Sequence, residues 1–308
     1  MVAVGVDIGG SKVAAAALTG PARSWREHGL RPDTATTAGV VAAIRAAALA
    51  VAGGDPVDAV GLSVAGWLSA DRRRVVHAAN LGLRDVPLPD LVAAALDCPV
   101  VMENDGNAAA VAEAVRAAAD AVAAGRTGAG TVVVLALGTG VGGGVVLPGG
   151  TVLTGDGGLA GELGHLPVPG DGRPCVCGGL DCLELYASGP GLAAAAGTPD
   201  ARAAVAAAGR GDPRAAAALR AAAAALAAAV RILQPVLDPA RVVLAGSVAE
   251  GAGPPLRDAV TAALAGPGPL AAVAAPPEIS LSTLGPYACA IGAAELAAGR
   301  KRRGLLRA

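Results

Sequence analysis

The chain has 308 residues, 54% of them apolar, and 24 Lys and Arg against 25 Asp and Glu give it a net charge of −1. That length suits two domains and a large core, and the near-zero charge excludes the basic footprint of a nucleic-acid binder. Phenylalanine is absent and the aromatic residues are Trp25, Trp67, Tyr186 and Tyr287, so Ala, Val and Leu must build the core.

From the N-terminus, 2–6 reads as a buried strand, 7–12 as a turn and 13–18 as the second strand of a hairpin. An Ala-rich stretch over 38–52, stopped by Gly53-Gly54, predicts a helix, and 59–64 predicts a strand. A helix over 89–96, a strand over 100–102 and a helix over 107–124 follow. Residues 127–155 carry no charge, but repeated glycines favour two buried strands, 132–137 and 144–147, over a membrane-spanning helix. Asp212 and Pro213 have the chemistry of an N-cap and first helical residue, and that helix is expected to reach Gln234, with Pro235 its end or a kink. A strand over 241–244 runs into Ala245-Gly246-Ser247, and a helix near 287–299 closes the chain. Alternating strands and helices make the class α/β. Hairpins near 2–18 and 131–147 suggest two halves of similar plan. The N-terminus lacks a charged leader and cleavage site, which fits a cytoplasmic protein without a membrane partner. The basic run 300–303 reads as a solvated tail.

Five cysteines in a chain of this length make no disulfide framework. Cys98 and Cys289 read as small buried apolar residues. His165, Cys175, Cys177 and Cys182 lie close in sequence, and three thiols with one imidazole make a closed tetrahedral zinc set. Glu162 and Glu184 flank it. Two glycine-rich turns follow buried strands: Asp7-Ile8-Gly9-Gly10-Ser11-Lys12 and Gly138-Thr139-Gly140-Val141-Gly142-Gly143. Each is either a tight hairpin or a cradle for an anion, with Asp7 suited to Mg²⁺ or its water. Neither has the P-loop or dinucleotide pattern. Glu103-Asn104-Asp105-Gly106-Asn107 ends a buried strand, where polar residues are costly unless used. Asp105 there is either a helix cap or a general base.

Together these residues resemble the ROK family of repressors, open reading frames and sugar kinases, and within it the bacterial glucokinases. The resemblance covers nearly the whole chain. It rests on D-I-G-G-S-K at 7–12, A-G at 65–66, N-L at 80–81, E-N-D-G-N-A-A at 103–109, G-T-G-V-G-G-G at 138–144, G-E-L-G-H at 161–165, C-V-C-G-G-L-D-C-L-E at 175–184 and Y-A-S-G at 186–189. It implies an actin-like, hexokinase-type (ribonuclease H-like) fold of two α/β domains with a ligand cleft. The domains would be 1–107, rejoined by a helix at about 292–308, and 108–291, which carries the zinc segment 161–188. It implies transfer of the γ-phosphoryl group of ATP to a sugar 6-hydroxyl, glucose first, with an amino sugar of the kanosamine or N-acetylmannosamine type or a cyclitol as the alternative.

By the same resemblance, Asp105 is the base, and Gly66, Asn80, Asn104, Asp105, Glu162, His165 and Glu184 contact the sugar. Asp7, Gly9, Gly10, Ser11 and Lys12, then Gly138, Thr139, Gly140 and Gly142, hold phosphates, and Gly246 lies on the adenosine side. His165, Cys175, Cys177 and Cys182 hold structural zinc, Mg²⁺ accompanies ATP, and the assembly is a homodimer or tetramer. A sugar-responsive repressor of this family would need an N-terminal DNA-binding region, for which the chain shows no room before its first glycine turn. A sugar-binding protein without catalysis fits poorly with Asp105 and both turns in place. The chain departs from the glucokinase pattern at Ser69, Leu83, Asp181, Leu183, Leu185, Pro235 and Ala245.

Overall fold

The structure is a computed structural model. It describes residues 2–9, 12–19, 24–30, 36–266, 268 and 270–302, with the backbone alone at 24–30 and 300–302. Gly10, Ser11 and most of the basic tail therefore lie outside the described residues or side chains.

The chain opens with β1 (Ala3–Ile8), β2 (Val13–Thr19), β3 (Ser24–Leu30), α1 (Thr37–Ala52) and β4 (Ala59–Val64). β5 (Trp67–Leu68), β6 (Val75–Ala78) and β7 (Leu83–Val86) follow, then α2 (Leu88–Leu96), β8 (Val100–Asn104) and α3 (Asp105–Ala123). Next come β9 (Val132–Leu137), β10 (Val141–Leu147), β11 (Thr151–Val152), α4 (Glu184–Ala187), α5 (Gly189–Ala196), α6 (Ala201–Gly209) and α7 (Pro213–Leu237). β12 (Arg241–Ala245), α8 (Gly246–Leu264), β13 (Glu278–Leu281) and α9 (Ala288–Arg302) complete it.

Two compact units divide these elements: 1–116 with 152–160 and 286–308, and 117–151 with 161–285. The first holds a sheet ordered β3-β2-β1-β4-β8 and a small sheet β5-β6-β7; the second holds β11-β10-β9-β12-β13. In both five-stranded sheets an antiparallel hairpin is extended by parallel strands. The two halves thus share one plan, as the two hairpin signatures suggest.

Small residues set the packing in the first unit. Gly5 and Gly61 are register partners on β1 and β4. A Cβ at Gly5 would strike the Ala290 carbonyl of α9, and one at Gly61 the Ala293 carbonyl. The helix therefore lies directly on the sheet, and its other side meets α3, where a Cβ at Gly292 would strike the Ala108 carbonyl. Overpacking of such a contact costs about 3 kcal/mol. Gly61→Val is accordingly expected to lower the melting temperature by several degrees in a thermal scan, and an unchanged midpoint would contradict this packing.

Three expectations need correction. β10 begins at Val141, so Gly142 and Gly143 are strand residues, paired with Ala136 and Leu135, and the turn shrinks to Gly138-Thr139-Gly140. A Cβ at Gly143 would lie 2.6 Å from the Gly161 carbonyl, so glycine is needed there for close approach inside a strand. α7 continues through Pro235 to Leu237 and stops at left-handed Asp238, whose N–H bonds the Gln234 carbonyl at 2.9 Å. A proline in the last turn forfeits one backbone bond without ending the helix. Cys289 is the third: it lies beside Asp7 and Asp105 rather than among apolar groups.

Asp212 caps α7 as expected, its carboxylate accepting the Ala215 N–H at 2.8 Å. By length and composition alone α7 could cross a membrane. It packs along α4, α5, α6 and α8, with Leu226, Val230 and Leu233 buried, as the central helix of the second unit.

Candidate active site and metal centre

In the first unit, β1 and β4 place Asp7 opposite Ser63. The Ser63 hydroxyl donates to Asp7 Oδ1 at 2.6 Å. Burial pushes the Asp7 carboxyl up to about 6, the Ser63 bond opposes this, and the neighbouring Asp105 raises it further while Lys12 lowers it. Gly9 closes the turn, its N–H on the Lys12 carbonyl at 2.9 Å, and the Lys12 ammonium lies 4.7 Å above the Tyr287 ring. Cys289, expected to sit among apolar groups, instead lies beside Asp7 and Asp105 and near the Ser63 hydroxyl; burial and the two carboxylates push its thiol well above the usual range. Cys98 is buried, as expected.

The polar run after β8 forms the start of α3. Asn104 Oδ1 accepts the N–H groups of Gly106 at 2.9 Å and Asn107 at 3.4 Å, so Asn104 takes the capping bonds. Its amide nitrogen reaches the Gly66 carbonyl at 3.4 Å. Asp105 Oδ1 accepts the Gly106 N–H at 3.0 Å. Glu103 is buried and ion-paired to Arg72 at 2.8 Å. Asn80 lies exposed on a single helical turn, Ala79–Leu81. Of the substrate residues expected in this unit, the structure joins Asn104, Asp105 and Gly66.

In the second unit the glycine turn and the cysteine segment are one construction. Glu184 Oε2 accepts the Val141 N–H at 3.0 Å and fills the space where a Cβ of Gly140 would go. The Gly189 N–H, at the head of α5, bonds the Gly138 carbonyl at 2.7 Å. Gly246 has φ +86°, and a Cβ there would lie 2.5 Å from the Leu137 carbonyl, so the β12–α8 junction abuts the same turn. Gly138, Gly140, Glu184 and Gly246 thus meet in one place, and Thr139 is exposed at the tip. Glu162 is exposed immediately before the Leu163–His165 turn.

The metal-ligand set is also assembled. The donor atoms of His165, Cys175, Cys177 and Cys182 all lie within 4.8 Å of one another. His165 Nδ1 is 3.7 Å from Cys175 Sγ, and the sulfurs of Cys177 and Cys182 are 3.5 Å apart. Bonds of about 2.3 Å at tetrahedral angles place thiolates about 3.8 Å apart, so the set fits a closed tetrahedral ion. The Gly179 N–H holds the Cys177 thiol below its usual range, whereas burial pushes Cys182 up to about 12.

Asp181 explains one departure from the family pattern. Its φ is +50°, a left-handed conformation natural to glycine. Its carboxylate compensates by accepting the Gly172 N–H at 2.8 Å, the Arg173 N–H at 2.9 Å and the Tyr186 hydroxyl at 2.6 Å. These bonds, Tyr186 foremost, hold the Asp181 carboxyl below the usual carboxylate range. A depressed folded value adds stability that is present above about pH 4 and lost as pH falls through the folded value. Asp181→Asn is therefore expected to melt lower than the parent at pH 7, with the gap closing towards pH 3. A gap that does not change with pH would contradict the ionised hydrogen-bond set. Leu83 and Leu183, two further departures, are fully buried core residues.

Sequence reasoning missed Ser63, Arg72 and the placement of Cys289. Ser63 did carry a signal: it is a polar residue within the otherwise apolar strand 59–64.

The comparisons agree with this architecture. A glucokinase from Streptomyces coelicolor is 38% identical over 189 residues, 61% of this chain and 57% of its own length. The chain thus spans little more than half of that curated relative. The ROK hexokinase structure from Thermus thermophilus superposes with TM-score 0.83 and 32% identity, covering 99% of this chain and 100% of that one. A ROK family glucokinase from Streptomyces griseus, in complex with glucose and AMPPNP, gives 0.74 and 33% over 97% and 100% of the two chains. The fold is that of the actin-like sugar kinases. The ROK family model matches residues 3–300, and the chain belongs to the ROK family.

Proposed function

We propose that the chain is an ATP-dependent hexose kinase that phosphorylates the 6-hydroxyl of glucose. The observation that supports this most is the β8–α3 turn, where Asn104 takes the capping bonds and Asp105 stands at the head of the helix beside Asp7. An overall 33% identity to a glucokinase holding glucose and AMPPNP agrees.

On this reading Asp105 accepts the proton of the attacking hydroxyl. That contributes modestly, since phosphoryl transfer depends chiefly on positioning and charge neutralisation. Asn104, Asn80, the Gly66 backbone, Glu162, His165 and Glu184 are the sugar contacts. Asp7, Gly9, Gly10, Ser11 and Lys12 take phosphate oxygens, as do the amides of the Gly138-Thr139-Gly140 turn with Gly142 behind it, and Gly246 lies towards the adenosine. Asp7 would hold Mg²⁺, which neutralises phosphate charge. Zinc on His165, Cys175, Cys177 and Cys182 would be a structural brace. With Nδ1 of His165 turned to the ion, Nε2 is left for a hydroxyl. Glu184 has one oxygen on the Val141 amide, so it would tie sugar recognition to the phosphate turn. The setting is the cytoplasm and the assembly a homodimer.

The test is coupled ADP release over a panel of glucose, kanosamine, N-acetylmannosamine and a cyclitol, with ATP or polyphosphate as donor. Glucose with ATP is expected to give the highest kcat/KM. Activity on an amino sugar with none on glucose would replace the glucose assignment.

A further inference from the structure

Glu103 makes an unusual set of contacts for a buried carboxylate. One oxygen, Oε1, accepts from Arg72 Nε at 2.8 Å, from the Asn104 N–H at 3.0 Å and from the Asn107 side-chain amide at 3.1 Å. The last two partners stand on either side of Asp105 in the chain. Arg72 comes from the β5–β6 loop, and both charged side chains are 7% exposed. Arg72 Nη1 donates to the Ser69 carbonyl at 3.2 Å, and a Cβ at Gly158 would lie 2.5 Å from that nitrogen, so the guanidinium occupies space that only a glycine there leaves open.

Stability alone accounts poorly for this arrangement. A buried ion pair is often no better for stability than apolar side chains of the same volume. Arg72 also has a left-handed backbone, φ +60°, which is costly for a residue with a Cβ. Arg72 Nη2 and Asn107 Oδ1 are buried without hydrogen-bond partners among the described residues. Costs of this kind gather where surrounding structure holds a functional geometry.

We propose that Glu103, clamped by Arg72, is a positioning residue for Asp105: the pair fixes the turn that aims the base. This rests on the assignment of Asp105 as the base. Glu103 bonds the backbone just before Asp105 and the side chain two residues after it, so a shift of Glu103 moves both flanks together. Arg72 sets where Glu103 stands and neutralises its charge, so that a bare carboxylate does not face the catalytic one.

The consequence is a specific pattern of rates. Misplacing a reacting group by about 1 Å costs on the order of 100-fold. Glu103→Met removes the common acceptor, and kcat is expected to fall roughly 10- to 100-fold, with KM for ATP changed by less than about threefold. Glu103→Gln keeps an acceptor oxygen and is expected to retain kcat within about threefold. Arg72→Met leaves Glu103 charged and unpaired, so Arg72→Met/Glu103→Gln is expected to turn over faster than Arg72→Met alone. All are measured by steady-state kinetics on full-length protein at a temperature where circular dichroism shows it folded. Wild-type kcat in Glu103→Met overturns the proposal, as do equal losses in the Met and Gln variants that follow melting temperature. If Glu103→Met does not fold, Arg72→Lys carries the test: it keeps the charge, loses the fork and is expected to lower kcat, and wild-type kcat there overturns the proposal. Asp105→Ala, run in parallel, separates the two assignments, since full activity in that variant would refute the base itself.

Discussion

Asp105→Asn is expected to lower kcat by 10²- to 10⁴-fold, the range typical of a lost general base. The substitution is nearly isosteric, and its amide oxygen can still accept the Gly106 N–H now bonded to Asp105 Oδ1. Asn104 holds the helix start, so α3 keeps its cap. Fold and sugar binding should therefore survive, and glucose should raise the melting temperature of the variant about as much as that of the parent. Asp7 supplies an independent readout. Its carboxyl is held at about 6 chiefly by burial, with Asp105 adding a further upward push. Removing the Asp105 charge is expected to lower the Asp7 value, seen by carboxyl NMR without nucleotide. Wild-type turnover in Asp105→Asn would end its assignment as the base, and an unmoved Asp7 would end the claim that the two carboxylates sense each other.

Much of this fold was legible because its punctuation is local. β4 and β9 have the bounds read from the sequence, since each is a short apolar run closed by turn residues. α1 stops at Gly53, a left-handed cap only glycine takes cheaply. The missed elements carry misleading or weak patterns. β3 is the polar edge strand S-W-R-E-H-G-L, whose sequence has no apolar run. α8 contains Pro254 and Pro255, which read as a stop; Gly253 at φ +55° breaks the helix and the prolines begin its next segment. β10 starts early because a glycine run looks like a turn wherever it lies. The site divides in the same way. Asn104, Asp105 and the four metal ligands cluster in sequence and announce themselves. Ser63 and Asp7 are 56 residues apart, and Arg72 and Glu103 are 31 apart, so only the folded sheet reveals that each pair belongs together. Cys289 was misjudged for the same reason: its polar neighbours come from β1, β4 and the start of α3, all distant in sequence.

Loss of the metal is expected to give the other large effect, on stability and sugar affinity together. Cys182→Ser should reduce bound zinc from one per chain towards zero by elemental analysis and weaken glucose binding at least about tenfold. Structural zinc contributes on the order of 10 kcal/mol where nothing else orders the peptide. Here backbone bridges join Pro167 to Cys182 and Pro174 to Leu180, and Asp181 gathers three further bonds. The loop therefore has its own frame, and the metal's share should be well below that figure. The frame leaves the donor atoms to the ion, however. Burial pushes the metal-free Cys182 thiol up to about 12, so zinc must displace a proton to bind and acid should release it. On the proposed assignment zinc would also orient His165, and Glu184 lies two residues beyond Cys182, so the proposed sugar contacts at both should loosen when zinc is removed. Glu184 also accepts the Val141 N–H beside the Gly138-Thr139-Gly140 turn, so KM for ATP should rise together with the loss of glucose affinity. Chelation at neutral pH and Cys182→Ser should agree. If both strip the metal while glucose binds as before, hydrogen bonds alone position Glu162, His165 and Glu184, and the brace role belongs to Asp181.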